Sequence, residues 1–160
     1  MQNYSHFPQV IIISPYSARL RNGQRNPKNY PHFPEVIDLL KAAGFLSIQI
    51  GVPGEARISG AHDFLIDQPP AALSNLVSEA AGWISVDNFF PHFCNALNLK
   101  PGVVLFGQSN PQIFGYPHNV NLLKSVDYLR ARQFDNWETA AYSIEAFVEP
   151  EQVIDSLKGN

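Results

Sequence analysis

The stretch Trp83-Ile84-Ser85-Val86-Asp87-Asn88-Phe89-Phe90-Pro91-His92-Phe93-Cys94-Asn95-Ala96-Leu97 decides the fold. It reads as a buried strand that ends on an acid and passes at once into a helix. The first backbone N–H groups of a helix have no partner inside it, and the helix dipole is positive there. An anion, above all a phosphate, suits that point. Asp87 and His92 would flank such a diphosphate seat, with Asn88, Phe89 and Phe90 supplying its backbone. Two plainer readings stand beside this one. Asp87 can serve as a helix N-cap, and His92 can pack on Phe89 or Phe93.

Working outward, Val10-Ile11-Ile12-Ile13-Ser14 is a continuous β-branched run, as in a strand covered on both faces. Pro34 to Ala43 is helical by composition, with Pro34 suited to a first turn and Gly44 to the C-terminal cap. Leu46–Val52 alternates like a strand, and Phe64–Asp67 is a shorter one. Leu73, Leu76, Val77 and Ala80 mark a helical stripe. Gly102–Gly107 is another buried strand, and Val120–Leu123 a short last one. In the tail, Trp137, Ala140, Ala141 and Ile144 share one helical face, and Val153, Ile154 and Leu157 another. Strands alternating with helices predict an α/β fold, a single Rossmann-like three-layer domain with a mainly parallel sheet and right-handed connections. Residues 1–160 read as one domain, with a core over about 9–134 and a helical tail over about 135–160, the tail an appendage to the sheet. Ligands of such sheets gather beyond the carboxyl ends of the strands.

Composition narrows the function. The net charge of −3 carries no mark of a nucleic-acid binder. The single cysteine, Cys94, allows neither an internal disulfide nor a cysteine-based metal site, and it falls on the apolar side of its helix. His6, His32, His62, His92 and His118 show no metal-ligand spacing, so no metal is expected. No apolar run reaches membrane-spanning length, and Met1–His6 lacks the features of a signal peptide. A cytoplasmic protein is the expectation.

Three loops at strand ends carry candidate chemistry. The loop from Ser14 to Tyr30 is long for an α/β connection and holds Arg19, Arg21, Arg25 and Lys28. These cations can neutralise a diphosphate, or form a solvated basic loop. Glu55, in Gly51-Val52-Pro53-Gly54-Glu55, can accept hydrogen bonds from a ribose diol or a base amine, or simply close a turn. Gly107-Gln108-Ser109-Asn110-Pro111 offers backbone N–H groups and small polar side chains to phosphate oxygens, or is an ordinary turn.

In this order the segments resemble the C-terminal, donor-binding half of family 9 glycosyltransferases, the heptosyltransferase-like group. Ser17-Ala18-Arg19 and Lys28-Asn29-Tyr30-Pro31 are similar to the family's small-residue loop and its basic group before Trp-Pro. Gly51–Glu55 is similar to its Gly-x-x-x-Glu. Ser85–Leu97 is similar to Asp-Thr-Gly-x-x-His-x-x-x-Ala-Leu, with Asn88 and Phe89 in place of Thr-Gly. Val104–Pro111 is similar to Leu-Phe-Gly-x-Thr-x-Pro. The resemblance implies half of a GT-B fold, a nucleotide-diphosphate sugar as substrate, no cofactor, and an inverting transfer. Asp87 would face the donor sugar, and a basic residue among Arg19, Arg25 and Lys28 would stabilise the departing diphosphate. Ser17, Glu55, Asn88, Phe89, Phe90, His92, Gly107 and Ser109 would bind the donor. The acceptor half and its general base would come from a partner chain or a second copy. The alternative is a catalytically inactive nucleotide-sugar-binding or structural assembly module.

Overall fold

The computed structural model describes residues 9–158. His6, one of the five histidines, lies outside them. Six strands form one all-parallel sheet in the order β3-β2-β1-β4-β5-β6. They are β1 (Val10–Ser14), β2 (Leu46–Gly51), β3 (Asp63–Ile66), β4 (Gly82–Val86), β5 (Val103–Phe106) and β6 (Val120–Leu123). The chain winds outward from β1 to β3, returns to the middle, and winds the other way from β4 to β6. The turning point of such a sheet lies between its two innermost strands, and the crevice it leaves at their carboxyl ends is where ligands bind. Here that crevice opens between Ser14 and Asp87.

Alternation along the inner strands sorts the core into two layers. On one face, Ile11, Ile13, Ile84, Val86, Val103 and Leu105 meet Phe33, Val36 and Leu40 of α1 (Phe33–Ala42). On the other, Val10, Ile12, Trp83, Val104 and Phe106 meet two helices. These are α2 (Pro70–Glu79), through Leu73 and Val77, and α3 (Phe89–Ala96), through Phe90, Phe93 and Cys94. Proline in the first turn of α1 costs no hydrogen bond, and Gly44, at φ +87°, carries the chain away from its end. A single turn, α4 (Pro111–Phe114), follows β5.

Cys94 sits inside the second layer, and burial pushes its thiol up to about 12. Against an ordinary value of 9.0, its thiolate population at mild alkaline pH is about a thousandfold lower. Alkylation by iodoacetamide at pH 8 is therefore expected to be negligible in the folded protein and rapid in denaturant. Rapid native alkylation would place the thiol elsewhere.

The tail departs from expectation. Trp137, Ala140, Ala141 and Ile144 do not share a helix. Their segment forms two short 3-10 turns, Trp137–Thr139 and Ile144–Ala146, with Ala140 extended between them. A short helix is marginal without packing, and here tertiary hydrogen bonds at the Ala141 carbonyl and the Tyr142 hydroxyl hold the segment instead. Gln108 Nε2 donates to Ala141 O at 2.7 Å, and Tyr142 Oη donates to Asn29 O at 2.9 Å. Nor is the tail an appendage. Ala146, Phe147 and Val148 are buried in the first layer. Val153 and Ile154 of α5 (Pro150–Lys158) join them beside α1. No helix of the described residues is long and apolar enough to cross a membrane.

Candidate functional site

Asn88 builds the floor of the crevice. Its Oδ1 accepts from Phe90 N–H at 2.8 Å, which makes it the N-cap of α3. Its Nδ2 reaches across the sheet to Ser14 Oγ and Tyr16 O, each at 2.9 Å. One side chain thus fixes the helix start and ties β4 to β1 where their ends diverge. Asp87, expected as a possible cap, does not cap the helix. Its backbone carbonyl accepts from Ser17 Oγ at 2.7 Å, and its carboxylate turns into the crevice.

That carboxylate is nearly sealed. Its Oδ2 lies 2.9 Å from Lys28 Nζ, with the two side chains 4% and 18% exposed. The contact is one of charge, because Oδ2 makes no well-angled hydrogen bond. Lys28 arrives there through an Asn-Pro turn. Asn26 Oδ1 accepts from Lys28 N–H at 3.0 Å, and Asn26 Nδ2 donates to Ala18 O at 2.8 Å. The ammonium also lies 5.0 Å from the Trp137 ring and 5.7 Å from the Phe114 ring, within reach of their negative faces.

The opening above the pair is a cavity of about 620 Å³, a size typical of small-molecule sites. It brings together Ser17, Lys28, Glu55, Asp87, Asn88, Phe89, Phe90 and His92. Phe90 does not plug it. Its ring is buried edge-on against Trp83, centroids 5.4 Å apart. Phe89 stands 66% exposed. The His92 ring meets that of Tyr116 edge-on, centroids 5.5 Å apart. Its Nδ1 is 2.8 Å from Tyr116 Oη.

Four expected site residues lie elsewhere. Arg19 donates to Gly54 O, Arg25 stacks on Tyr142 at 4.3 Å, and both line a neighbouring pocket. Gly107 and Ser109 do not line the cavity. Gly107 is needed for packing, since a methyl there would come within 2.7 Å of the Phe147 ring. Ser109 is 1% exposed. The helix seat is also thinner than its sequence suggests. Phe90 N–H is spent on Asn88, and Pro91 has none, which leaves Phe89 N–H in the first turn. Asp67 and Trp137 also line the cavity and were not expected there, Trp137 because the tail reads as a separate helix. Asn26 did carry a signal. Asn before Pro favours a turn closed by the side chain two residues on, and that turn aims Lys28.

Glu55 lies against the opposite wall, its Oε2 accepting from Val52 N–H at 3.0 Å. The close approach requires Gly51, where a Cβ would overlap that oxygen and crowd the Phe64 ring. Burial raises the carboxyl above its ordinary range, with Val52 N–H and Arg19 pulling it back in part. A raised folded value means that the protonated form favours folding. The contribution is present below the ordinary value of 4.5 and is lost as pH rises through the folded value. Urea midpoints of wild type and Glu55→Gln between pH 4 and pH 7 check this. The gap is expected to move in the variant's favour as pH rises, and a gap moving the other way would refute it.

Among the described residues, no group of three or more His, Cys, Asp or Glu is placed to hold a metal ion.

No family model and no curated protein sequence matches the chain. Solved structures do match its fold. A family 9 glycosyl transferase from Veillonella parvula superposes with a TM-score of 0.71 at 20% identity, over 94% of this chain and 45% of that one. The ADP-heptose lps heptosyltransferase II of E. coli gives 0.66 at 16% identity, over 95% and 46%. The dodecameric iron-containing heptosyltransferase TibC of enterotoxigenic E. coli, in complex with ADP-D-beta-D-heptose, gives 0.61 at 20% identity, over 96% and 46%. The chain therefore spans about half the length of the structures it matches. In fold, it is similar to one half of a family 9 glycosyltransferase, a half of the GT-B architecture.

Proposed function

We propose that this chain is the donor-binding half of a glycosyltransferase. It would hold a nucleotide-diphosphate sugar in the main cavity and act with a partner chain or a second copy in an inverting transfer. The observation that carries this reading is the Lys28–Asp87 pair, set in the cavity at the turning point of the sheet. A transferred sugar leaves behind a nucleoside diphosphate, and the charge that develops on it needs a cation in a water-poor setting. Lys28 is that cation, held by Asp87 until a diphosphate shares it. Phe89 N–H and His92 add donors at the start of α3. Asp87 faces the sugar, and Glu55 accepts from ribose hydroxyls across the cavity. A structural relative solved with ADP-D-beta-D-heptose supports the ligand class.

Thermal shift with ADP, UDP, GDP and CMP, and then their sugars, tests this. A ligand at a hundred times its Kd stabilises by about 2.7 kcal/mol, a rise of roughly 5–10 °C for a chain of this size. At least one diphosphate is expected to give that rise. His92→Ala should weaken the response and Cys94→Ser should leave it unchanged. No response to any of them sinks the proposal. The loss of two first-turn amides to Asn88 and Pro91 favours a second reading, a nucleotide-sugar-binding or assembly module without turnover. Donor hydrolysis or sugar transfer separates the two.

A further inference from the structure

Beside the main cavity, across a wall made by Tyr16, Ser17, Asn26 and Glu55, lies a second pocket of about 530 Å³. It takes the two arginines that the main cavity does not. The guanidinium of Arg19 gives one donor to Gly54 O at the pocket's edge. That of Arg25 also lines the pocket, its Cζ over the Tyr142 ring at 4.3 Å from the centroid. Neither arginine lies within ion-pair distance of a carboxylate among the described residues. The Tyr16 hydroxyl stands between opposite charges. Burial and Glu55 push its pKa up, and Arg25 pulls it down. Gln24 and Asn29 complete a polar rim.

This is a different charge balance from the main cavity, where the Lys28 ammonium shares the space with the carboxylates of Asp87, Glu55 and Asp67. Two guanidiniums against the single carboxylate of Glu55 leave a net positive pocket. Guanidinium binds carboxylate and phosphate through paired N–H donors. The tyrosine hydroxyl and the two amides of Gln24 and Asn29 then suit the hydroxyls of a sugar ring. The aromatic support under Arg25 fixes its plane, so less freedom is lost when an oxyanion docks.

We propose that the second pocket binds a small polyol that carries an oxyanion, a sugar acid or a sugar phosphate, independently of what fills the main cavity. This goes beyond donor binding and does not depend on it.

The test is titration of the full chain with glucuronate, glucose 6-phosphate and glucose, followed by calorimetry at roughly 20 mM salt, where screening of exposed charges is weak. At least one of the two anions is expected to bind about tenfold tighter than glucose. Which of them binds distinguishes a carboxylate from a phosphate ligand. Arg25→Gln should weaken that anion at least about fivefold, and Arg25→Lys should fall between, because charge without paired donors recovers part of the contact. His92→Ala changes only the main cavity and should leave the anion's affinity within about twofold. Both arginines are exposed, and circular dichroism confirms that their variants are folded. Equal binding of glucose, no binding of either anion, or an equal loss in His92→Ala and Arg25→Gln would overturn the proposal. The last result would place the anion in the main cavity.

Discussion

Lys28→Met is expected to cost about 3–5 kcal/mol of stability, and adding Asp87→Asn to it is expected to restore most of that loss. The reason is the asymmetry of the pair. Asp87 is 4% exposed, and its Oδ2 has no hydrogen bond to fall back on once the ammonium is gone. A charge left alone in such a place pays its full desolvation cost. Neutralising it as asparagine removes the charge and keeps the shape. Asp87→Asn alone should cost less than Lys28→Met. The Lys28 side chain is 18% exposed, and its ammonium keeps the faces of Trp137 and Phe114 nearby. Urea unfolding of the four proteins in a double-mutant cycle measures this directly. Additive losses would mean that the two groups do not depend on each other, and the site would lose its charged centre. The cycle reads only folding, so it holds whatever ligand the cavity takes.

Much of the architecture was legible because the strands are buried on both faces. Val10–Ile13 and Val103–Phe106 are unbroken apolar runs, Trp83–Val86 is interrupted only by Ser85, and parallel central strands leave that mark. Asp87 at the end of β4, Lys28 in the long loop after β1 and Glu55 after β2 all converge, because a parallel sheet sends every strand's carboxyl end to the same edge. What a list of residue types does not show is how each polar group is spent. Asn88, standing in place of a threonine, caps α3 and joins the two central strands. Arg19 and Arg25 sit in the same loop as Lys28. The turn at Asn26 separates them, sending the lysine inward and leaving the arginines in the second pocket. Gly107 resembles a phosphate-loop glycine, but its missing side chain makes room for Phe147 from far along the chain. Such long-range packing leaves no local pattern.

Phe147→Ala should therefore be among the most damaging single substitutions outside the sheet, costing about 3–5 kcal/mol. Its ring is 1% exposed. It stands edge-on to Tyr30, centroids 5.6 Å apart, and fills the space beside Gly107. Tyr30 Oη donates to Val148 O at 2.9 Å, so the same region ties the tail to the long loop that carries Lys28. Truncating the ring opens a cavity that a rigid sheet and two helices cannot fill. Phe134→Ala is the control. That ring is 81% exposed, and its loss should stay within about 0.5 kcal/mol. Both residues lie in the stretch that composition assigns to an appendage, or at its border. An appendage would make the two substitutions equally mild. A wide gap between their urea midpoints would show that the tail is part of the core. It would also show that the loop carrying Lys28 is held in place by residues more than a hundred positions away.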